Sequence, residues 1–263
     1  MSAPAEPAQE PVVLPSETEG KVGFGIDQPG AIIQLTAAGL ITIVTGFIVA
    51  FTIFRKDLAL GAVFLFGMPV GGALILAVAA SLYWSSRLGK PREVERLMKE
   101  IPWGGAEIAV DVGCGRGLMM ISAASRLDQG LTVGVDEWKS GDQSGNDPRS
   151  VWANAREARV PGRVAVVKAD ARSLPFWDGS VDVGMSSMTI HLIGGRAAQR
   201  AAVHELARIV KGGGRVAVID AGRGGEYAEY LRDDGLVDVH ISRMRFRSFP
   251  PLHSVTARKP FSE

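Results

Sequence analysis

The chain has 263 residues, enough for one ordinary domain plus a modest extension. Its 29 Lys and Arg nearly cancel its 28 Asp and Glu, so no sequence-wide positive field points to nucleic acid or an acidic partner. A single cysteine excludes a disulfide framework, and four histidines with no Cys/His cluster give no sign of a metal site.

That balance hides a segregation along the chain. Residues 1–30 are rich in Pro, Ala and Glu, carry five acids against one lysine, and read as a disordered tail. From Ala31 to Phe54 no residue is charged, and after Arg55-Lys56-Asp57 the uncharged sequence resumes from Leu58 to Ser86. Each run exceeds the roughly 20 residues that cross a hydrocarbon core as a helix. Buried core helices would need a large soluble domain around them, and a cleavable signal would start earlier, behind a basic leader. Residues 31–86 are therefore expected to form a two-span membrane hairpin, antiparallel because the turn is so short. Gly61, Gly67, Gly71 and Gly72 should give the second span a small-residue face for the first span or for another copy of the chain, a route to a homo-oligomer. Pro69 should kink it. Tyr83 and Trp84 sit where an interfacial belt would lie. The basic cluster Arg87, Lys90, Arg92, Arg96 and Lys99 then puts the C-terminal side in the cytoplasm. Arg55-Lys56 would face outward, a mild departure from the positive-inside tendency.

Residues 87–263 form the remaining unit. Lys90 to Ile101 reads as an amphipathic helix that partly lids a pocket and as a charged connector held near anionic headgroups, two compatible roles. Strands are expected near 107–112, 131–135, 164–168, 181–186 and 214–220, with helices between them, which predicts a mainly parallel sheet covered on both faces. After a helix near 225–234, Val237 to Arg243 and His253 to Lys259 read as two more strands, separated by Phe249-Pro250-Pro251.

The ligand end of this sheet is marked by residues. Val110-Asp111-Val112-Gly113-Cys114-Gly115-Arg116-Gly117 is an apolar strand running into alternate glycines, where backbone can turn tightly and approach a ligand with no side chain in the way. Cys114 stands inside that loop, where small size is reason enough for it. The next strand, Leu131 to Val135, ends in Asp136-Glu137. Strand, glycine turn, helix and a second strand with a terminal acid make a nucleoside pocket. A dinucleotide fingerprint would put its third glycine at position 118, which is Leu118. A third strand ends in Asp170-Ala171 before Leu174-Pro175-Phe176; a fourth runs Val181 to Ser186-Ser187; helix, Gly-Gly-Gly turn and fifth strand follow from Glu205 to Asp220.

Asp111 followed by Gly113, Gly115 and Gly117 resembles motif I of the class I S-adenosylmethionine-dependent methyltransferases. The three later motifs follow in the family's order, over roughly residues 90 to 260. The resemblance implies an α/β fold: a Rossmann-like seven-stranded sheet, mostly parallel, closed by an antiparallel C-terminal hairpin, here preceded by two transmembrane helices. It implies S-adenosylmethionine as methyl donor. The glycine loop, Gly113, Cys114, Gly115 and Gly117, would hold the methionine moiety with Asp111 in support. Asp136 and Glu137 would take the ribose, Asp170 and Ala171 the adenine, and Ser186 would sit where the fourth strand opens onto the methyl group. On the acceptor side, Met185 to His191 lacks the Asn/Asp-Pro-Pro-Tyr/Phe signature of amino-group methylases, which speaks against DNA methylation. The lone cysteine speaks against arsenic methylation. His191 is a candidate base, since only His has an unperturbed pKa near neutrality; a capping or surface role fits it equally. The polar loop Trp138 to Arg149, with Asp142 and Asn146, is a lid, an acceptor contact or a flexible turn. Arg243, Arg245 and Arg247 would share one face along the sixth strand and its exit, to meet an anionic headgroup or to guard an edge.

The expected function is thus a two-span integral membrane methyltransferase with its catalytic domain in the cytoplasm. Its acceptor would be small or lipophilic: a quinone, a phenol or a lipid-like molecule. The motif style resembles the branch with quinone and sterol methyltransferases. The alternatives are a methyltransferase of a membrane-associated protein and a SAM-binding membrane protein without turnover.

Overall fold

The computed structural model describes residues 23–53, 56–139, 145–246 and 248–261. The expected tail through residue 22, Arg55, residues 140–144 with Asp142, and Arg247 lie outside the described residues.

The two uncharged runs form helices α1 (Pro29–Ile53) and α2 (Leu58–Trp84), both long and apolar enough to cross a membrane. Hydroxyls of Thr36, Thr42, Thr52 and Ser81 donate to carbonyls three or four residues back, which leaves the helices no polar group to satisfy elsewhere at those positions. Asp57 caps α2 by accepting from the Leu60 N–H. The pair packs closely through glycines, but not all of those expected. A Cβ on Gly72 would lie 2.6 Å from the Gly39 carbonyl oxygen, and one on Gly46 2.6 Å from the Met68 Cβ. Gly67 and Gly71 have nothing within 4 Å of a Cβ position, so they take no part in this contact. Contact recurs along one stripe of each helix, and both glycines fall off it.

A single helical stretch runs from Leu58 to Glu100. One π turn, Ser85–Gly89, joins α2 to α3 (Lys90–Glu100). The basic segment is therefore the amphipathic helix of the two readings: Val94, Leu97 and Met98, spaced i, i+3 and i+4, are buried against the sheet.

The sheet has seven strands in the order β3-β2-β1-β4-β5-β7-β6. β1 (Ile108–Val112), β2 (Leu131–Asp136), β3 (Val164–Lys168), β4 (Val181–Ser187) and β5 (Val210–Ala221) are parallel, and β7 (Leu252–Arg258) runs antiparallel between β5 and β6 (Val237–Ile241). Two expectations are corrected. Gly212–Gly214 do not form a turn before the fifth strand but lie within β5, absorbed by a register shift between the pairs Val181–Val210 and Val183–Arg215. β6 ends at Ile241, so Arg243 and Arg245 are not strand residues sharing a face; Arg245 forms a lone bridge with Leu252.

Strand alternation assigns the faces. Val110 and Val112 of β1 point to one side, packing with Val203 and Leu206 of α6 (Arg196–Ile209) and with Tyr227 and Leu231 of α7 (Gly224–Asp233). Ala109 points to the other, with Val94 and Leu97 of α3 and Met119 of α4 (Leu118–Ala124). Asp111 shares that second face, against the start of α4. α5 (Pro148–Glu157) packs beside α4 through Val151 and Ala155.

Candidate active site

The carboxyl ends of β1 to β4 open on one cavity of about 360 Å³, at the small end of the roughly 300–1,000 Å³ usual for ligand pockets. Its floor is the glycine loop. Gly113, Gly115 and Gly117 have φ of 75°, 52° and 88°. At Gly113 a Cβ would also fall 2.1 Å from the Thr189 side chain, so no other residue fits. The Thr189 hydroxyl donates to the Gly113 carbonyl at 3.0 Å, tying the exit of β4 to the loop.

Asp111 is buried beneath the loop. One carboxylate oxygen accepts from the Met120 N–H at 2.9 Å; the other has no hydrogen-bond partner among the described residues. Burial pushes its pKa up to about 7, helped by the nearby Asp136 charge and opposed by the Met120 N–H. Burial likewise pushes the Cys114 thiol up, with Asp111 and Asp136 adding to it, so Cys114 is a packing group rather than a nucleophile. Asp136 accepts from the Gly115 N–H at 2.8 Å and from the Trp138 N–H at 2.7 Å. The Trp138 indole in turn donates to the Gly115 carbonyl at 3.1 Å. Glu137, Asp170 and Ala171 complete the far wall. Hydrogen bonds from Arg172 hold the Asp170 carboxyl down to about 2.

One expected residue is displaced. Ser186 is fully buried and its hydroxyl donates to the Val112 carbonyl at 2.8 Å, inside the sheet. Ser187 lines the cavity instead, because successive strand residues face opposite ways. Beyond it Met188 has φ 56°, a left-handed conformation that a non-glycine residue holds only when its surroundings impose it. Leu192, Ile193 and Gly194 finish this apolar rim.

His191 stands between them. Its ring is not part of the cavity wall but turns to the buried Asp220 at the end of β5, with Nδ1 2.5 Å from Oδ1. Asp220 also accepts from the His191 N–H at 3.1 Å, the Tyr227 hydroxyl at 3.0 Å and the Ala221 N–H at 2.7 Å. The carboxylate is thus held by three donors, while His191 Nδ1 lies against it without a hydrogen bond of its own. Burial first, then Asp220, pushes the Tyr227 phenol up, so it remains a donor. Asp220 was legible as another acid at a strand end; nothing in the sequence joined it to His191.

The remaining wall comes from Phe24 and Asp27, which sequence reasoning missed, and from Lys90, the first residue of the segment read as a possible lid. Phe24, Asp27 and Lys90 line the same cavity. Residues 23–28 run along it as a strap. The Gly23 carbonyl accepts from Arg116 Nε at 2.6 Å and its N–H donates to Asn154 at 3.0 Å. Asp27 pairs with Lys90 at 2.5 Å and accepts from the Ser86 hydroxyl at 3.0 Å. Phe24 and Asp27 stand in a stretch that composition alone assigns to a tail, so no signal marked them.

These features fit S-adenosylmethionine. A glycine-rich loop faces the cavity, acids stand at both ends for a cationic sulfonium and a nucleoside, and Asp111 keeps a buried oxygen unengaged. The seven-stranded sheet and this cavity agree with such a cofactor, and residues 110–218 match the family described as a methyltransferase domain.

Among curated proteins, the chain is similar to the 27-O-demethylrifamycin SV methyltransferase of Amycolatopsis mediterranei, 30% identical over 129 residues, which are 49% of this chain and 44% of that protein. It is also similar to the ubiquinone/menaquinone biosynthesis C-methyltransferase UbiE of a Geobacter species, 27% identical over 135 residues, 51% of this chain and 54% of the relative. The chain thus spans about half the length of the curated relatives it matches. The crystal structure of the [4+2]-cyclase SpnF shares the fold with a TM-score of 0.52 at 18% identity, over 68% of this chain and 84% of that one.

Proposed function

We propose that this protein is a membrane-anchored methyltransferase that moves the methyl group of S-adenosylmethionine to a small, lipophilic acceptor, with the catalytic domain on the cytoplasmic side. One observation carries the reading: the cavity is walled by Phe24, Asp27 and Lys90, which adjoin the two apolar helices. Outward residues of those helices are themselves apolar, among them Ile41, Phe51, Phe66 and Leu74, as lipid contact requires. Both curated relatives bear names that place them on small molecules, a rifamycin and a quinone pathway.

The bound cofactor supplies an electrophilic methyl group for in-line displacement. The chain contributes alignment and water exclusion: the glycine loop fixes one end, Asp136 and Asp170 the other, and Met188, Leu192 and Ile193 give the acceptor an apolar seat. His191 lies beside this seat, outside the cavity wall and with Nδ1 against Asp220, and would have to turn toward the acceptor to take its proton. In proteoliposomes given methyl-labelled S-adenosylmethionine and extracted membrane lipids, quinones and phenols, label should appear in an organic-soluble product. Label on protein would instead favour a membrane-protein substrate, and binding without transfer a non-catalytic role.

A further inference from the structure

The loop between β6 and β7 protrudes from the ligand edge of the sheet. β7 is antiparallel to β5, with Leu252 opposite Ala221, so both ends of this loop sit level with the carboxyl ends of the parallel strands. That is the edge where Asp27 and Lys90, next to the two apolar helices, line the cavity. The base of the loop is pinned. Arg245 and Leu252 exchange backbone hydrogen bonds of 2.7 and 3.1 Å, and the Ser242 N–H donates to the Ser254 carbonyl at 2.9 Å. Arg245 also reaches Glu93 of α3 at 3.4 Å, nine residues beyond Trp84, or about 13 Å along a helix continuous with α2.

From this pinned base three large apolar side chains stand out: Met244 is 49% exposed, Phe246 80% and Phe249 45%. Arg243 is exposed beside them, and Arg87 and Arg92 are exposed at the foot of α2. Aromatic and Met side chains held outward next to basic ones match an interfacial contact, where rings enter the headgroup boundary and cations meet anionic lipid. A solvent-facing hairpin would have no use for such a patch.

We propose that Met244, Phe246 and Phe249, with Arg243, form a second, interfacial membrane contact, which seats the ligand edge of the sheet on an anionic bilayer surface beside the α1–α2 hairpin. This rests on the reading that the hairpin spans the bilayer. Two anchors then fix the tilt of the domain, and the cavity mouth is held at the depth where lipophilic acceptors lie.

The test uses the full-length protein in nanodiscs of phosphatidylcholine and phosphatidylglycerol, with an environment-sensitive fluorophore on single introduced cysteines. Cys114 is buried and does not compete for the label. F246C should lose about half its emission when the lipid carries bromines near the headgroups, as expected for insertion of roughly 5–10 Å. W177C, at the opposite edge of the sheet before β4, should lose none. L74C, on the outward face of α2, reports on the hairpin and should be quenched by bromines at the chain ends. L74C quenched while F246C behaves like W177C would overturn the loop contact alone. Neither L74C nor F246C quenched would overturn the membrane reading itself. F246C shielded from iodide yet untouched by bromine would assign the loop to another copy of the chain and overturn the proposal. F249C provides the same readout if F246C does not fold.

Discussion

The two halves of this cavity are built on different principles. The cofactor half is assembled from consecutive strand ends: the glycine loop after β1, Asp136 after β2 and Asp170 after β3, each within a few residues of an apolar strand. The half proposed for the acceptor is assembled from distant pieces: the strap at Phe24 and Asp27, Lys90 at the head of α3 and the Met188–Gly194 rim, with His191 just outside it against Asp220 of β5. A half fixed by local backbone geometry tolerates little change, whereas a half made by tertiary assembly can be retuned piece by piece.

If that contrast is right, substitutions in the two halves differ in kind. The largest effect falls on the glycine loop. Gly113→Ala should lower affinity for S-adenosylmethionine by more than about a hundredfold, since it meets both a positive φ and the Thr189 side chain. Calorimetry checks this, with a thermal melt to establish that the protein is folded. Second is His191→Gln, which should cost about a hundredfold or more in kcat while the affinity for the methyl donor stays unchanged. Asp220→Asn should cost up to about a hundredfold through misplacement of the ring, and alter the pH–rate profile as well. Steady-state kinetics across pH separates the two. Equal losses of cofactor affinity in either variant would refute the division.

Third, the buried Asp111 makes binding pH-dependent. Its folded pKa of about 7 lies above the ordinary carboxylate value, so the unfolded chain gives up this proton first. Its contribution to stability is therefore full below about pH 4 and declines as pH rises toward 7. A cationic ligand favours the ionised form, so affinity should rise by up to about tenfold between pH 6 and 8. Asp111→Asn should flatten that dependence, and titration calorimetry at three pH values would reveal it. The smallest effect belongs to the strap. Phe24→Ala should raise the acceptor KM by roughly fivefold with kcat little changed, from the loss of about 1 kcal/mol of apolar contact.

The same contrast governs what could be read from sequence. The positions of the strands, the glycine loop and the acids at residues 111, 136 and 170 are written in local patterns, because a strand's end and the residue after it cannot be far apart. Ser186 was misplaced by one residue because period-2 alternation makes a single step reverse the face; its neighbour Ser187 reaches the cavity. The glycines that let α1 and α2 approach were only partly legible. Composition gives small residues but not the stripe on which they meet, and Gly39 and Gly46 lie on α1, where none had been sought. The pairing of His191 with Asp220, and of Asp27 with Lys90, joins residues far apart in the chain. No spacing rule connects such pairs before the sheet is formed.

The most direct measurement is titration calorimetry of the full-length protein with S-adenosylmethionine and, separately, with NAD. Saturable one-to-one heat with the sulfonium and none with the dinucleotide is the expected result. Heat with the dinucleotide alone would contradict the assignment of this cavity.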